Sequence, residues 1–158
     1  MNDFSHFDET GGISMVDVSQ KRTTRREAVA VATVRMSRDT LTKLIEQALP
    51  KGDVLTTAKV AGVLAAKKTS SLIPLTHPVP LNSIDVTFDI DRVAGTVEVR
   101  SIVRCDGKTG VEMEALTACA IASLTIYDMC KSAEKGITIE ALQLVRKSGG
   151  KSGTWERS

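Results

Sequence analysis

The chain has 158 residues, a formal charge of +2, an apolar content of 42% and an aromatic content of only 3%. That length suits one domain whose core needs no disulfide or metal support. The near-neutral balance argues against a strongly electrostatic nucleic-acid binder, and the scarcity of aromatics against a base-stacking surface.

No apolar run approaches the ~18 residues expected of a membrane helix. The polar start MNDFSHFDETGG does not fit a secretory signal, so the chain reads as cytoplasmic. Cys105, Cys119 and Cys130 lie 14 and 11 residues apart with no CxxC. They read as reduced, buried thiols, and no metal-ligand spacing is present.

In chain order, residues 1–13 read as a flexible tail. Glu27–Met36 is rich in small and β-branched residues and predicts a strand, with Ala28, Ala30, Ala32 and Val34 on one face and Val29 and Val31 on the other. Apolar residues on both faces predict a second covering, and hence a sheet-mediated oligomer. Ser37 caps a helix carrying Leu41, Leu44, Ile45 and Ala48, which Pro50 ends. Asp53 caps a second helix from Val54 to about Ser70 whose many Ala and Gly residues predict close backbone packing.

The segment SLIPLTHPVPL, 71–81, holds three of the four prolines and one of the two histidines. SIDVTFDI, the turn DRVAG and TVEVRSIVRC then alternate as an antiparallel hairpin. GVEMEALTACAIASLTIYDMCKSAEKG predicts a long helix ended by Gly136 in the left-handed region, and ITIEALQLVRK a last strand. The closing KSGGKSGTWERS reads as a second flexible tail over 148–158.

The order β-α-α-β-β-α-β contains βαββαβ plus one additional helix. It predicts a single α+β domain over 1–158, ferredoxin-like, with an antiparallel sheet and helices on one face.

Several residues carry chemistry. GKTG (107–110) and GGKSG (149–153) look like ends of a phosphate-binding loop, but Ile102 and Val145 stand where that motif needs glycine. As Gly-Lys turns they still offer backbone N–H groups and a cation, against the plainer reading of a hairpin exit and a loose tail. Asp128 and Lys131 share a helix face, as a surface ion pair or an acid/base couple. Glu112 and Glu114 sit at a helix start, where capping competes with reading an amidine edge. Lys51 occupies a tight turn, and Arg25, Arg26, Lys21, Lys67, Lys68 and Lys147 form a dispersed basic set. His77 is either structural or held by its prolines for function.

Together, SMVDVS (14–19), KGDVLTTAKVAG (51–62), LIPLTHP (72–78), GKTGVEMEALTA (107–118), IYDMCK (126–131) and KSGGKSG (147–153) resemble the cyclic pyranopterin monophosphate synthase family, the molybdenum cofactor biosynthesis protein C family. The family commonly has Cys where this chain has Thr76.

The resemblance implies a lyase that converts 3′,8-cyclo-7,8-dihydroguanosine 5′-triphosphate, supplied by an upstream radical GTP cyclase, to cyclic pyranopterin monophosphate plus diphosphate. It implies Asp128, Lys51 and Lys131 as catalytic residues. It implies Leu75, Thr76, His77, Glu112, Met113, Glu114, Arg26, Lys67 and Lys147 for substrate binding. No protein-bound cofactor or metal is implied, with Mg²⁺ able to accompany the triphosphate. The implied assembly is a homohexamer, a trimer of dimers with active sites at interfaces. Neither nucleic acid nor membrane is a partner. The alternative is a non-catalytic nucleotide-binding regulatory module of ferredoxin-like fold.

Overall fold

A computed structural model describes residues 11–158; residues 1–10, most of the expected N-terminal tail, lie outside the described residues. The elements are β1 (Thr24–Arg35), α1 (Arg38–Ile45), α2 (Val54–Lys67), α3 (Thr69–Leu72), β2 (Leu81–Asp91), β3 (Thr96–Gly107), α4 (Glu112–Cys130), β4 (Thr138–Ser148) and β5 (Trp155–Glu156). The sheet order is β2-β3-β1-β4-β5 and every pair is antiparallel. With α2 and α4 packed against the sheet, this is the α+β, ferredoxin-like arrangement expected from the element order.

The core follows from the period-2 pattern of the strands. Ala28, Ala30, Ala32 and Val34 on β1 and Val97, Val99 and Val103 on β3 are essentially fully buried. They meet Ala115, Ala118, Ala122 and Ile126 of α4, also fully buried. Small residues on both sides let the helix approach closely. Buried side chains then stitch helix to sheet: the Ser101 hydroxyl donates to the Ala115 carbonyl at 2.6 Å, and the Cys119 thiol to the Val99 carbonyl at 3.3 Å.

The same economy governs helix against helix. A Cβ on Gly62 would meet the Ala118 carbonyl oxygen at 2.9 Å. All three cysteines are free and buried, as their spacing suggests. Burial pushes the Cys119 thiol up to about 12 and Cys130 to about 11, so neither is a nucleophile near neutral pH.

Four local expectations need correction. Helix α1 stops at Ile45, before Pro50, because Gln47 takes φ +54 and the chain turns. The second helix breaks at Lys68 and leaves α3 as a separate turn. Helix α4 ends at Cys130, closed by the Lys131 and Ala133 N–H groups on the carbonyls of Tyr127 and Cys130, and Gly136 does not enter the positive-φ region. Within 148–158, expected to be a tail, Trp155 and Glu156 form β5 opposite Lys147 and Arg146.

The outer face of the sheet is also less apolar than β1 alone suggests. Val29 and Val31 are there, but ion pairs shield them: Glu27 with Arg104 and Arg146, Arg35 with Glu140, and Arg100 with Glu98. Neighbouring strands supply those charges, so the pattern of one strand did not predict the face. Exposed apolar residues occur on the helix layer as well as at Leu142 of β4 and Trp155 of β5. Val60 and Leu64 of α2 and Leu124 of α4 are each about half exposed.

Candidate active site

A cavity of about 830 Å³ opens where five segments converge at the sheet's end. The start of β1 supplies Thr24 and Arg26, and the proline-rich loop supplies Leu75, Thr76 and His77. The turn after β3 supplies Lys108, Thr109 and Gly110, and the first turn of α4 supplies Glu112, Met113 and Glu114. The β4–β5 connection adds Lys147, Gly150, Lys151 and Ser152. Six Lys or Arg side chains line it against two carboxylates, so the space is built for an anion with a polar, donor-rich portion.

The two carboxylates differ. Glu112 pairs with Lys147 at 3.2 Å. Glu114 is only 4% exposed and forms no ion pair among the described residues. Burial raises its pKa above the ordinary 4.5, with a small contribution from Glu112. A carboxyl so placed can be held neutral or completed by N–H donors of a ligand.

Thr76 lies in the cavity wall, but its hydroxyl and its backbone N–H both donate to the Ile73 carbonyl, at 2.8 and 3.2 Å. It therefore stabilises the turn that presents His77. Asp17 stands near this loop. Hydrogen bonding from Ser19 holds its carboxyl below the usual range, with smaller contributions from Lys108 and His77.

Asp128, Lys51 and Lys131 do come together, but elsewhere. Lys51 Nζ donates to Asp128 Oδ2 at 2.6 Å and to the Asp128 carbonyl at 3.0 Å, while Lys131 Nζ donates to Oδ1 at 2.6 Å. These contacts, Lys131 first, hold the Asp128 carboxyl down to about 2 and raise the Lys131 ammonium. The surface pair anticipated from spacing is thus a three-membered cluster, because the turn before α2 brings Lys51 to the end of α4.

The cluster and the cavity occupy opposite ends of one helix. Met113 and Asp128 are separated by roughly 22 Å at ~1.5 Å per residue. Lys67 is also outside the cavity, beside a smaller one of about 440 Å³ with Val79, Leu81 and Ser83. Of the twelve residues named from the sequence, the structure gathers Arg26, Leu75, Thr76, His77, Glu112, Met113, Glu114 and Lys147 in one place and the catalytic three in another.

Sequence reading missed Arg22 and Val18, and left Lys21, Lys108 and Lys151 unassigned. The two Gly-Lys turns were the available signal, but only the fold shows that they meet. Among the described residues no group of three His, Cys, Asp or Glu side chains is placed to hold a metal.

The model of the MoaC family matches residues 15–150. The chain belongs to the MoaC family. Family relatives span nearly the whole length. A Geobacter sulfurreducens protein is 56% identical over 98% of this chain and 96% of its own. One from Heliobacterium modesticaldum is 54% identical over 99% of both. One from Chloroflexus aurantiacus is 50% identical over 99% of this chain and 96% of its own. All three are named cyclic pyranopterin monophosphate synthase. The family match covers both the cavity and the Asp128 cluster, apart from Lys151 and Ser152 beyond its end.

Proposed function

We propose that this chain is a cyclic pyranopterin monophosphate synthase, a lyase. It converts 3′,8-cyclo-7,8-dihydroguanosine 5′-triphosphate, the product of a radical GTP cyclase, to cyclic pyranopterin monophosphate and diphosphate. The observation that carries this reading is the full-length match, at 50–56% identity, to relatives of that name. The cavity supports it. Six cations suit a triphosphate, and Glu112 and Glu114 suit the N–H edge of a guanine-derived ring.

In this reading His77 and Met113 orient the substrate, and Asp128, Lys51 and Lys131 carry the proton transfers. With its carboxyl at about 2, Asp128 is ionised near neutral pH and acts first as a base; its lysines supply protons and neutralise the leaving diphosphate. No protein-held cofactor is required, and Mg²⁺ accompanying the triphosphate is compatible with the scheme.

The roughly 22 Å between cavity and cluster supports a site shared between two copies, within a homohexamer of three dimers. The exposed Val60, Leu64 and Leu124 offer the contact surface. A two-fold axis near Ile121, the midpoint of α4, would lay two such helices antiparallel. Asp128 of one copy then faces the first turn of α4 in the other.

The test is turnover. Purified protein given the cyclic triphosphate should release diphosphate, and Asp128→Asn should abolish release with the assembly intact. Stoichiometric binding without release by the unmodified protein would instead favour a non-catalytic nucleotide-binding module.

A further inference from the structure

Lys51 reaches Asp128 from the short connection between α1 and α2, and each step of that connection is fixed locally. Helix α1 closes in a Schellman motif. The Gln47 N–H donates to the Leu44 carbonyl at 3.2 Å and the Ala48 N–H to the Lys43 carbonyl at 2.9 Å, with Gln47 at φ +54. Leu49 then anchors the chain in the core. Its carbonyl accepts from the Gly52 N–H at 3.1 Å, closing a β-turn over Pro50 and Lys51. Pro50 stands where such turns favour proline, and its ring fixes φ there. Asp53 opens α2 by accepting from the Thr56 N–H at 3.0 Å and the Thr56 hydroxyl at 2.6 Å.

Gly52 takes φ +86, yet a Cβ there would meet nothing within 4 Å. Packing therefore does not demand glycine; only the path of the backbone does. Neither flanking helix demands it either, since α1 is closed at Gln47 and α2 is capped by Asp53. What the positive φ sets is the direction of the residue before it. Lys51 Nζ meets the Asp128 carboxylate and the Asp128 carbonyl together. That carbonyl belongs to the last turn of α4, where the helix dipole also favours an ammonium. Two contacts fix the ammonium in distance and direction, and one of its three donors remains.

We infer that Gly52 is a positioning residue: its left-handed backbone, held between buried Leu49 and the Asp53 cap, aims Lys51 at Asp128 and leaves one ammonium donor open to substrate. The inference rests on the synthase reading for what the cluster does, but not for how the cluster is held.

The probe is an amine-acylating reagent at limiting concentration, applied to the full chain, with the rate at each lysine read by peptide mass spectrometry. Lys43, paired with Asp39 on its own helix, is the internal reference. Asp128→Asn gives the rate of a released Lys51. Gly52→Ala should raise the Lys51 rate about two- to fivefold toward that limit, the range for loss of an exposed ion pair. Gly52→Asn, which tolerates positive φ, should stay closer to the unmodified chain. Pro50→Ala loosens the same turn without strain and should move the rate in the same direction. Gly153→Ala imposes similar strain at φ +66, also with nothing within 4 Å, and should leave Lys51 unchanged. In turnover, Gly52→Ala should lower kcat about ten- to a hundredfold, as for a misplaced catalytic group, with KM within about twofold and Gly52→Asn recovering most of the loss.

An unchanged Lys51 rate in both Gly52→Ala and Pro50→Ala, an equal rise in Gly153→Ala, or no recovery in Gly52→Asn would overturn the positioning role. Release of Lys51 in the expected order of variants, without turnover by the unmodified chain, retains the positioning role and removes the synthase. Turnover with both the Lys51 rate and kcat indifferent to Gly52→Ala does the reverse.

Discussion

If the cavity of one copy works with the Asp128 cluster of another, two inactive variants should repair each other. Asp128→Asn disables the cluster, and His77→Ala disables the cavity. The structure makes the expected yield calculable. Within one chain the two regions sit roughly 22 Å apart along α4, far beyond the ~3 Å reach that proton transfer requires.

In a two-fold dimer each site therefore takes its cavity from one chain and its cluster from the other. Random mixing of the two variants gives mixed dimers half of the time. In each of these, one site carries both defects and the other none, so about a quarter of all sites are restored. The assay is diphosphate release after co-expression or co-refolding, with both homogeneous variants as blanks. A second arrangement works in the opposite sense. Wild-type chain mixed equally with the double variant should retain about a quarter of wild-type activity if sites are shared, and about half if they are not. No recovery in the first mixture together with half activity in the second would refute the shared site.

Two further outcomes concern the scaffold and the buried carboxylate. Gly62→Ala should destabilise the protein by about 1–3 kcal/mol despite alanine's better helix propensity, because the new Cβ meets the Ala118 carbonyl at 2.9 Å; a thermal melt that moves upward would contradict the close packing of α2 on α4. Glu114→Gln should stabilise the protein at neutral pH and have little effect below the ordinary carboxyl value of 4.5, because a carboxyl whose folded pKa is raised contributes stability below its unfolded pKa and loses it as pH rises through the folded one; equal melting-temperature shifts at pH 4 and pH 7.5 would show that Glu114 is not a desolvated carboxyl.

Much of the fold was legible because strand alternation and helix period are local properties. Ala28 to Val34 and Ile84 to Ile90 needed only their own sequence to declare a buried face. Properties that depend on a neighbour were not legible. The outer face of β1 looks apolar until β3 and β4 bring Arg104 and Arg146 to Glu27. Gly136 looks like a helix stop until α4 closes on itself at Lys131, while Glu134 turns away to accept hydrogen bonds from the Ser37 N–H and hydroxyl at 2.9 and 2.8 Å.

The site divides in the same way. Asp128 and Lys131 were paired by spacing, but Lys51 joined them only through the turn before α2. The Gly-Lys turns were visible as motifs, but their convergence on one cavity is a property of the closed sheet.

The proposed shared arrangement would place two unlike carboxyl groups in one site. Two ammonium groups hold Asp128 well below the usual range, so its carboxylate is poised to accept a proton. Burial holds the Glu114 carboxyl above its ordinary value, and the N–H edge of the substrate ring would complete it. Within a single chain the two groups lie at opposite ends of α4. Antiparallel pairing of two such helices about Ile121 would set the Asp128 cluster of one copy against the Glu114 wall of the other, across the space where the substrate ring would lie. The proposed assembly would then do more than pool cations: it would bring the proton-transfer cluster to a ring-binding wall that one chain alone holds roughly 22 Å away.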